Sequence, residues 1–316
     1  MKISPVFLLS ISILLLICVT AAGILIKLDD RRRTPGPVPR RAPKVSTLTF
    51  AGDIMAHDVN YHAPSYAEIY REVVPLLRSD LLSFANLEFP IDPSKPYSNY
   101  PRFNNHPEYV RAAVEAGFDV FSAANNHAAD QGPDSIFQTR RVLEDLSQEH
   151  GTHWSGLKEH HEDPLIPVSI EAGGMRIGFL AVTFLLNVKE DGGLVYRVDF
   201  NSAARREAFL RYLRSVTPSY DLFILSVHGG VEYRQLPLPG KYSYFVQLIE
   251  SGVDILWGHH PHVLQPHQLL RLPEGGKAVI LNSAGNLISG QTWHMEPDPY
   301  GTESPRGESA LYRVHL

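Results

Sequence analysis

The stretch GVDILWGHHPHVLQP, residues 252–266, decides the fold class of this 316-residue chain. Its run from Asp254 to Trp257 predicts a buried β-strand, and the polar turn GHHPH begins where that strand ends. A strand followed by a polar turn recurs at AGD (51–53), NLE (86–88), NNH (125–127), HGG (228–230) and NSAGN (282–286). In open α/β sheets, ligands bind at the carboxyl ends of strands. Six segments are therefore predicted to bring polar groups to one edge.

Short β-rich runs alternate with amphipathic helical patterns from residue 46 onward, which predicts a layered α/β domain. The predicted strands are 47–51, 82–86, 120–124, 176–182, 222–227, 254–257, 278–282 and 310–314. The predicted helices are about 66–78, 107–116, 133–148, 202–216 and 241–251. No change of composition divides this region, so we expect residues 46–316 to form one domain.

Charge is distributed unevenly along the chain. Residues 1–45 hold 8 Lys/Arg and 2 Asp, whereas the remainder holds 21 basic and 32 acidic residues and all 15 histidines. An acidic body argues against nucleic acid as a partner. The only cysteine, Cys18, lies in the N-terminal apolar run, which excludes an intrachain disulfide and a cysteine-based metal site in the body.

The N-terminal region is organised as a membrane-targeting segment. After a short flank, residues 1–4, residues 5–26 carry no charge and are long enough to cross a bilayer. This length favours a transmembrane anchor, although Thr20, Ala21 and Ala22 leave a cleaved signal peptide open. Residues 27–45 form a basic, proline-rich linker that keeps the body away from the membrane. The basic linker favours a cytoplasmic body by the positive-inside rule, whereas large domains are often translocated regardless of charge.

The polar turns carry residues suited to a metal centre. His260 and His262, two residues apart, are expected to point to the same side of extended backbone. Asp53, Glu88 and Asn126 follow three other strands. Imidazole, carboxylate and amide ligands suit zinc, manganese or iron, and a set of this size predicts two divalent ions.

Two further histidines extend this prediction. His127 follows Asn126 directly, and Asp130, three residues later, can orient its imidazole, which makes His127 a candidate acid or phosphate-contacting group. His57, four residues past Asp53, reaches the same site if the chain turns there.

Each of these residues also has a structural interpretation. A single histidine at a strand end is more often hydrogen-bonded or exposed than a ligand. Asp53 can cap a turn, and Asn126 and Asn286 can form turns with left-handed backbone. Turn formation does not require histidine at or beside four of the six turns, so the combined pattern favours a metal site.

The segments FAGDIMAH, FANLEFPI, YPRFNNHPEYVRAAVEAGFDVFSAANNHAADQG, VHGGVEY, GVDILWGHHPHVLQP and NSAGN resemble the successive motifs of the CapA family of bacterial capsule and poly-γ-glutamate synthesis proteins. The resemblance spans about residues 47–290. It implies a four-layer α-β-β-α sandwich of the calcineurin-like metallophosphoesterase type, preceded by one N-terminal transmembrane helix. It also implies an extracytoplasmic domain tethered to the cell membrane, or secreted if the N-terminal segment is cleaved.

The same resemblance implies positions for the ligands. Asp53 resembles the first-strand aspartate, Glu88 the bridging carboxylate, and His228 the lone histidine. Asn126 and His127 resemble the Asn-His pair, and His260 and His262 the final His-x-His. The sequence departs from the hydrolase pattern at Met55, where a histidine is usual, and at Glu88, where an aspartate is usual.

Two functions of different classes remain open from sequence. One is a metal-dependent, phosphoesterase-like hydrolase acting on an anionic envelope polymer or its fragments. The other is a non-catalytic subunit that binds or exports this polymer with a structural metal. The resemblance implies membrane-bound capsule or poly-γ-glutamate synthesis subunits as partners. Arg102, Arg234 and Tyr233 are candidate polymer-binding residues, each with a solvated or packing alternative.

Overall fold

The architecture consists of two β-sheets whose apolar faces meet. It comes from a computed structural model that describes residues 46–189, 191–273, 275–291 and 306–316. The strands are β1 (Thr47–Ile54), β2 (Leu82–Leu87), β3 (Val120–Ser122), β4 (His153–Ser155), β5 (Val168–Ala172), β6 (Met175–Thr183), β7 (Leu222–His228), β8 (Ile255–His259), β9 (Leu264–Arg271), β10 (Lys277–Ala284), β11 (Asn286–Ile288) and β12 (Tyr312–His315).

Each sheet contains six strands. The first has the order β11-β1-β2-β3-β4, with β12 antiparallel to β1, and the second has the order β5-β6-β7-β8-β10-β9. Strands β1, β2, β3 and β4 run parallel, as do β6, β7, β8 and β10. The carboxyl ends of these parallel strands form one edge in each sheet.

Aromatic side chains fill the space between the sheets. Phe84 of β2 stacks on Phe50 of β1 with ring centroids 4.6 Å apart, and it meets Phe179 of β6 edge-on at 5.7 Å. The Trp257 indole N–H of β8 donates to the Ala51 carbonyl of β1 at 2.9 Å. This bond satisfies a polar atom inside an apolar core and fixes the two sheets relative to each other.

The helices complete a mixed α/β sandwich. They are α1 (Asp58–Tyr61), α2 (Tyr66–Tyr70), α3 (Val74–Leu77), α4 (Pro107–Ala116), α5 (Pro133–His150), α6 (Ala203–Val216) and α7 (Pro239–Ile249), with a 3₁₀ turn at Thr217–Ser219. Helix α4 contacts α2 and α5, and α5 packs against β4. Helix α6 contacts α7, which packs against β8. One helix group therefore accompanies each sheet.

Most of the predicted elements are present. Helix α4 has the predicted bounds and ends at Gly117, whose φ of 122° favours glycine. The helix predicted over 66–78 is wrong as a single element, because α2 ends at Tyr70 and α3 restarts at Val74 with Pro75 in its first turn. Strands β4, β5, β9 and β11 were not predicted. Strand β9 lies at a sheet edge and contains Pro266, which weakens its strand pattern.

The predicted anchor or signal peptide, residues 5–26, and the linker, residues 27–45, lie outside the described residues. Within the part of the chain that the structure describes, no helix combines the length and apolar character needed to cross a bilayer.

Candidate metal centre

The first sheet places Asp53 between two asparagines. Strand β1 continues through Asp53, which pairs in register with Asn86 on β2 and with Asn286 on β11. The Asn86 amide donates to Asp53 Oδ1 at 2.9 Å. Asp53 is therefore held inside the sheet by its neighbours, whereas the sequence pattern predicted it just beyond the strand.

Gly52 permits this arrangement. A Cβ atom at residue 52 would lie 1.9 Å from the Gly285 carbonyl oxygen, well inside van der Waals contact. The close approach lets the Asp53 backbone N–H donate to that same oxygen at 3.0 Å. Any larger side chain at this position would separate β1 from the turn before β11.

The second sheet delivers the histidines. His228 ends β7 and pairs in register with His259, the last residue of β8. His260 and His262 follow with φ angles of 93° and 57°. The predicted extended backbone at these two residues is therefore wrong, because the chain turns through left-handed conformations on both sides of Pro261. Both imidazoles are nevertheless buried at the site.

Among the residues that the structure describes, three groups of ligand atoms converge, each with its atoms within 4.8 Å of one another. The groups are Asp53, Glu88 and His262; Glu88, His228 and His260; and Glu232, His260 and His262. Glu88 belongs to the first two groups, so its carboxylate lies where it can bridge two ions. The solvent-accessible Glu232 adds a carboxylate that the sequence analysis did not select.

Glu88 occupies the centre of this cluster. Its Oε1 lies 3.6 Å from His228 Nε2 and 3.6 Å from His262 Nε2, and the side chain has no exposed surface. Burial and the negative charge of Asp53 raise the pKa of Glu88 well above its usual value. A divalent cation between these groups would reverse that effect by stabilising the ionised form.

Asp53 has the opposite electrostatic setting. Burial alone would raise its pKa, but a hydrogen bond from His259 and the adjacent His262 imidazole outweigh it and hold the Asp53 pKa well below its usual value. His259 Nδ1 lies 2.9 Å from Asp53 Oδ1, and His262 Nδ1 lies 3.3 Å from Oδ2. Asp53 is thus kept as a carboxylate.

Hydrogen bonds with neighbouring side chains orient His262. Its Nδ1 lies 2.8 Å from Asn286 Oδ1, an acceptor, so Nδ1 carries the proton and the Nε2 lone pair faces Glu88. The Asn286 amide donates to Gln291 Oε1 at 2.9 Å, and the Gln291 amide donates to the Tyr233 hydroxyl at 3.1 Å. A chain of this kind is typical of metal-binding histidines, whose second nitrogen is anchored.

Buried polar atoms without hydrogen-bond partners test the fit to a metal. Among the described residues, those at this cluster include Asp53 Oδ2, Asn86 Oδ1, Glu88 Oε1, Asn126 Oδ1, His228 Nε2, His259 Nε2 and His260 Nδ1. Buried polar groups are otherwise nearly always satisfied. Burial lowers the pKa of His228 and of His260 well below the usual value, so both imidazoles are neutral and able to donate lone pairs. These residues fit divalent ions.

His127 and Asp130 form a pair beside the cluster. His127 Nδ1 lies 2.6 Å from Asp130 Oδ2, which also accepts the Phe103 backbone N–H at 2.8 Å. The Phe103 ring meets the imidazole edge-on at 4.7 Å. The pairing predicted from their spacing of three residues is present, and it fixes the ring by a carboxylate on one side and an aromatic face on the other.

The other residues predicted for the site belong to none of the three ligand groups. His57 is buried, and its Nδ1 accepts the Gly290 backbone N–H at 3.1 Å. Burial lowers the pKa of His57 to about 4. Tyr233 lies beside His262, with ring centroids 6.2 Å apart. Arg102 and Arg234 are exposed on loops.

Sequence reasoning missed several residues at the site: Asn86, Asn187, Glu232, Lys241 and His259. A signal existed for Asn86, a polar residue in the apolar strand SFANL, and for His259, the first histidine of GHHPH. Nothing local distinguishes Lys241 from a routine helix-surface lysine.

Comparison with known proteins identifies a family and several similar proteins. Residues 47–291 match the family described as "Bacterial capsule synthesis protein PGA_cap". The "Capsule biosynthesis protein CapA" of Bacillus anthracis is 27% identical over 91% of this chain and 68% of its own length. The "PGA biosynthesis protein CapA" of Bacillus subtilis (strain 168) is 25% identical over 87% and 70%. The crystal structure of a hypothetical protein from Thermus thermophilus aligns over 76% of both chains with a TM-score of 0.44 and 18% identity.

Proposed function

Since the chain belongs to the bacterial capsule synthesis family PGA_cap, we propose that it acts on an anionic envelope polymer during capsule or poly-γ-glutamate synthesis or export. In this proposal the cluster around Glu88 is a dinuclear divalent-metal centre with phosphoesterase-like hydrolase chemistry. The names of the two Bacillus relatives support the polymer class.

The observation that carries the metal centre is the convergence of unpartnered ligand atoms. Asp53, Glu88 and His262 would hold one ion, and Glu88, His228 and His260 would hold the other. The buried, unpartnered Asn126 Oδ1 is a further candidate oxygen ligand. A divalent pair bound there supplies Lewis-acid activation of the scissile group and of water at neutral pH.

His127 is proposed to hold the proton that the leaving group requires. Its Nδ1 is occupied by Asp130, so Nε2 is the nitrogen available to a substrate. The Asn187 amide nitrogen lies 3.4 Å from both ring nitrogens and therefore contacts the imidazole without being specific to Nε2. Asp130 and Phe103 keep the imidazole in one orientation, which is the requirement for proton transfer to a bound oxygen.

The finer fold type and the location are also proposals. Helices α4 and α5 beside the first sheet and α6 and α7 beside the second support a four-layer sandwich of the metallophosphoesterase type. The uncharged segment 5–26 supports a single-pass membrane tether with the domain outside the cytoplasm. Membrane-bound synthesis subunits are the proposed protein partners.

A non-catalytic, polymer-binding role is the second candidate, and one observation favours it. Asp53, Glu88 and His228 have no exposed surface, which suits a structural ion closed off from solvent. In that role the metal stabilises the junction between the sheets, and the protein guides the polymer without cleaving it.

Turnover and metal content measured together separate the two roles. The full-length chain, loaded with manganese, zinc or iron, is assayed against p-nitrophenyl phosphate mono- and diesters and against poly-γ-glutamate fragments. The hydrolase proposal expects metal-dependent turnover that His127→Ala abolishes with metal content retained. Metal-loaded wild type that binds the polymer and cleaves none of these substrates would contradict hydrolysis and support the binding role.

A further inference from the structure

Lys241 is a buried lysine without a hydrogen-bond partner. It lies in the first turn of α7 with 3% of its surface exposed, and its ammonium Nζ has no acceptor among the described residues. Nζ lies 4.9 Å from the centroid of the Phe245 ring, one turn further along the same helix. A cation–π contact offsets only part of the cost of burying an ammonium group.

The ammonium group faces the metal centre. A Cβ atom at Gly230, two residues past His228, would lie 3.1 Å from Nζ. Gly230 has a φ of 137°, a backbone conformation that favours glycine, so the HGG turn leaves room for the lysine. Burial, then the charges of His262 and Lys241, lower the pKa of His260. Lys241 therefore lies within the electrostatic field of the cluster.

An ammonium group buried beside a metal centre keeps its charge only with a negative partner. An unpaired charge in a protein interior costs several kcal/mol, and divalent ions nearby increase that cost through repulsion. The charge of Asp53 acts on Lys241, but Nζ has no hydrogen-bond acceptor among the described residues, and Asp53 and Glu88 both face the histidines. An oxyanion placed between the proposed ions and Nζ would bind the ions and accept a hydrogen bond from the ammonium group.

We propose that Lys241 binds an oxyanion at the metal centre, so that the site selects ligands that place a phosphoryl or carboxylate group there. The assignment rests on the proposed metal centre and adds to it a non-metal contact on the His228–His260 side. Lysine provides a compact point charge that donates to one oxygen, whereas arginine would require a planar, bidentate partner.

A structural role for Lys241 predicts different behaviour. In that case the methylene groups pack against α7 and the HGG turn, and methionine replaces them without loss of anion binding. The two roles therefore predict different anion affinities for Lys241→Met. Both predict unchanged or higher stability for this variant, since removing an unpaired ammonium does not weaken the fold.

The test is calorimetric titration of the full-length chain with inorganic phosphate and, separately, with glutarate. Wild type is compared with Lys241→Met, Lys241→Gln and Lys241→Arg, each with manganese and with a chelator. Lys277→Met is the matched control. Lys277 is an exposed lysine at the first residue of β10, whereas the metal centre lies at the carboxyl end of the parallel strands. Metal content is measured first on every sample, so loss of the metal centre is recognised independently of anion binding.

We expect Lys241→Met and Lys241→Gln to bind the preferred anion about ten- to a hundred-fold more weakly, as loss of a charged hydrogen bond predicts. Lys241→Arg should retain part of the affinity, and Lys277→Met all of it. Tighter phosphate binding identifies a phosphoryl group and tighter glutarate binding a carboxylate. Unchanged affinity in Lys241→Met, or binding of neither anion by wild type with or without metal, would overturn the inference.

Discussion

Glu88→Gln should have opposite effects on the metal-free and metal-loaded protein. The glutamine keeps the shape of the side chain and removes its charge. In the metal-free protein, the Glu88 carboxylate is buried beside Asp53, and Oε1 has no hydrogen-bond partner. An ionised carboxylate buried without a partner carries a desolvation cost of about 1–3 kcal/mol or more, which the uncharged glutamine avoids, so the metal-free variant should be at least as stable as wild type.

The pH dependence follows from the same shift. The pKa of Glu88 is raised in the folded state, so wild-type stability is fully present at low pH and falls as pH rises through the folded pKa. Glutamine does not titrate, and the advantage of Glu88→Gln should therefore grow with pH in the presence of chelator.

Bound metal should make wild type more stable than Glu88→Gln. At an ion concentration of about 100 times Kd, each bound ion stabilises the folded protein by roughly 2.7 kcal/mol. Because Glu88 belongs to both ligand groups, its loss should remove most of this gain for both ions. Urea unfolding with and without metal, monitored by circular dichroism, measures both effects, and Glu250→Gln on the surface is the control. An unchanged metal-induced gain in Glu88→Gln, or a less stable metal-free variant, would refute the reasoning.

Three further predictions concern the histidine pair, the glycine at the sheet junction and the buried lysine. Asp130→Asn should lower turnover about 10- to 100-fold with metal content unchanged, as parallel kinetics and elemental analysis would show, because His127 loses its orienting carboxylate. Gly52→Ala should lower the free energy of unfolding by about 3 kcal/mol or more, since its Cβ overlaps the Gly285 carbonyl, whereas Gly240→Ala meets nothing within 4 Å and should be neutral or stabilising in the same denaturation assay. Burial lowers the pKa of Lys241 to about 7 from its ordinary 10.5, so in chelator wild-type stability should rise by up to ~1.4 kcal/mol per pH unit between these values; a Lys241→Met variant that shows the same slope would contradict this.

The sequence predicts the sheet edge well because its signal is local. Each apolar run ends in a polar turn, and strands β1, β2, β7 and β8 lie where the pattern predicts. The edge strand β9 and the three-residue strands β4 and β11 carry too few alternating residues to be distinguished from loops.

The site is predicted less completely because its geometry depends on contacts between the two sheets. His259 approaches Asp53 across that junction, 206 residues away in sequence. Lys241 reaches the HGG turn only because α7 packs beside β8. His260 and His262 were selected because a spacing of two residues aligns side chains on extended backbone, but the backbone at both residues is left-handed, so turn geometry brings the imidazoles together.

Metal content tests the central claim most directly. The full-length chain is purified without chelator or affinity histidines, exchanged into manganese, zinc or iron, and measured by elemental mass spectrometry beside a His260→Ala, His262→Ala double variant. About two ions per chain in wild type, lost in the double variant, are predicted from the two ligand groups that share Glu88. A wild-type protein that takes up no ion from any of the three metals would contradict the account.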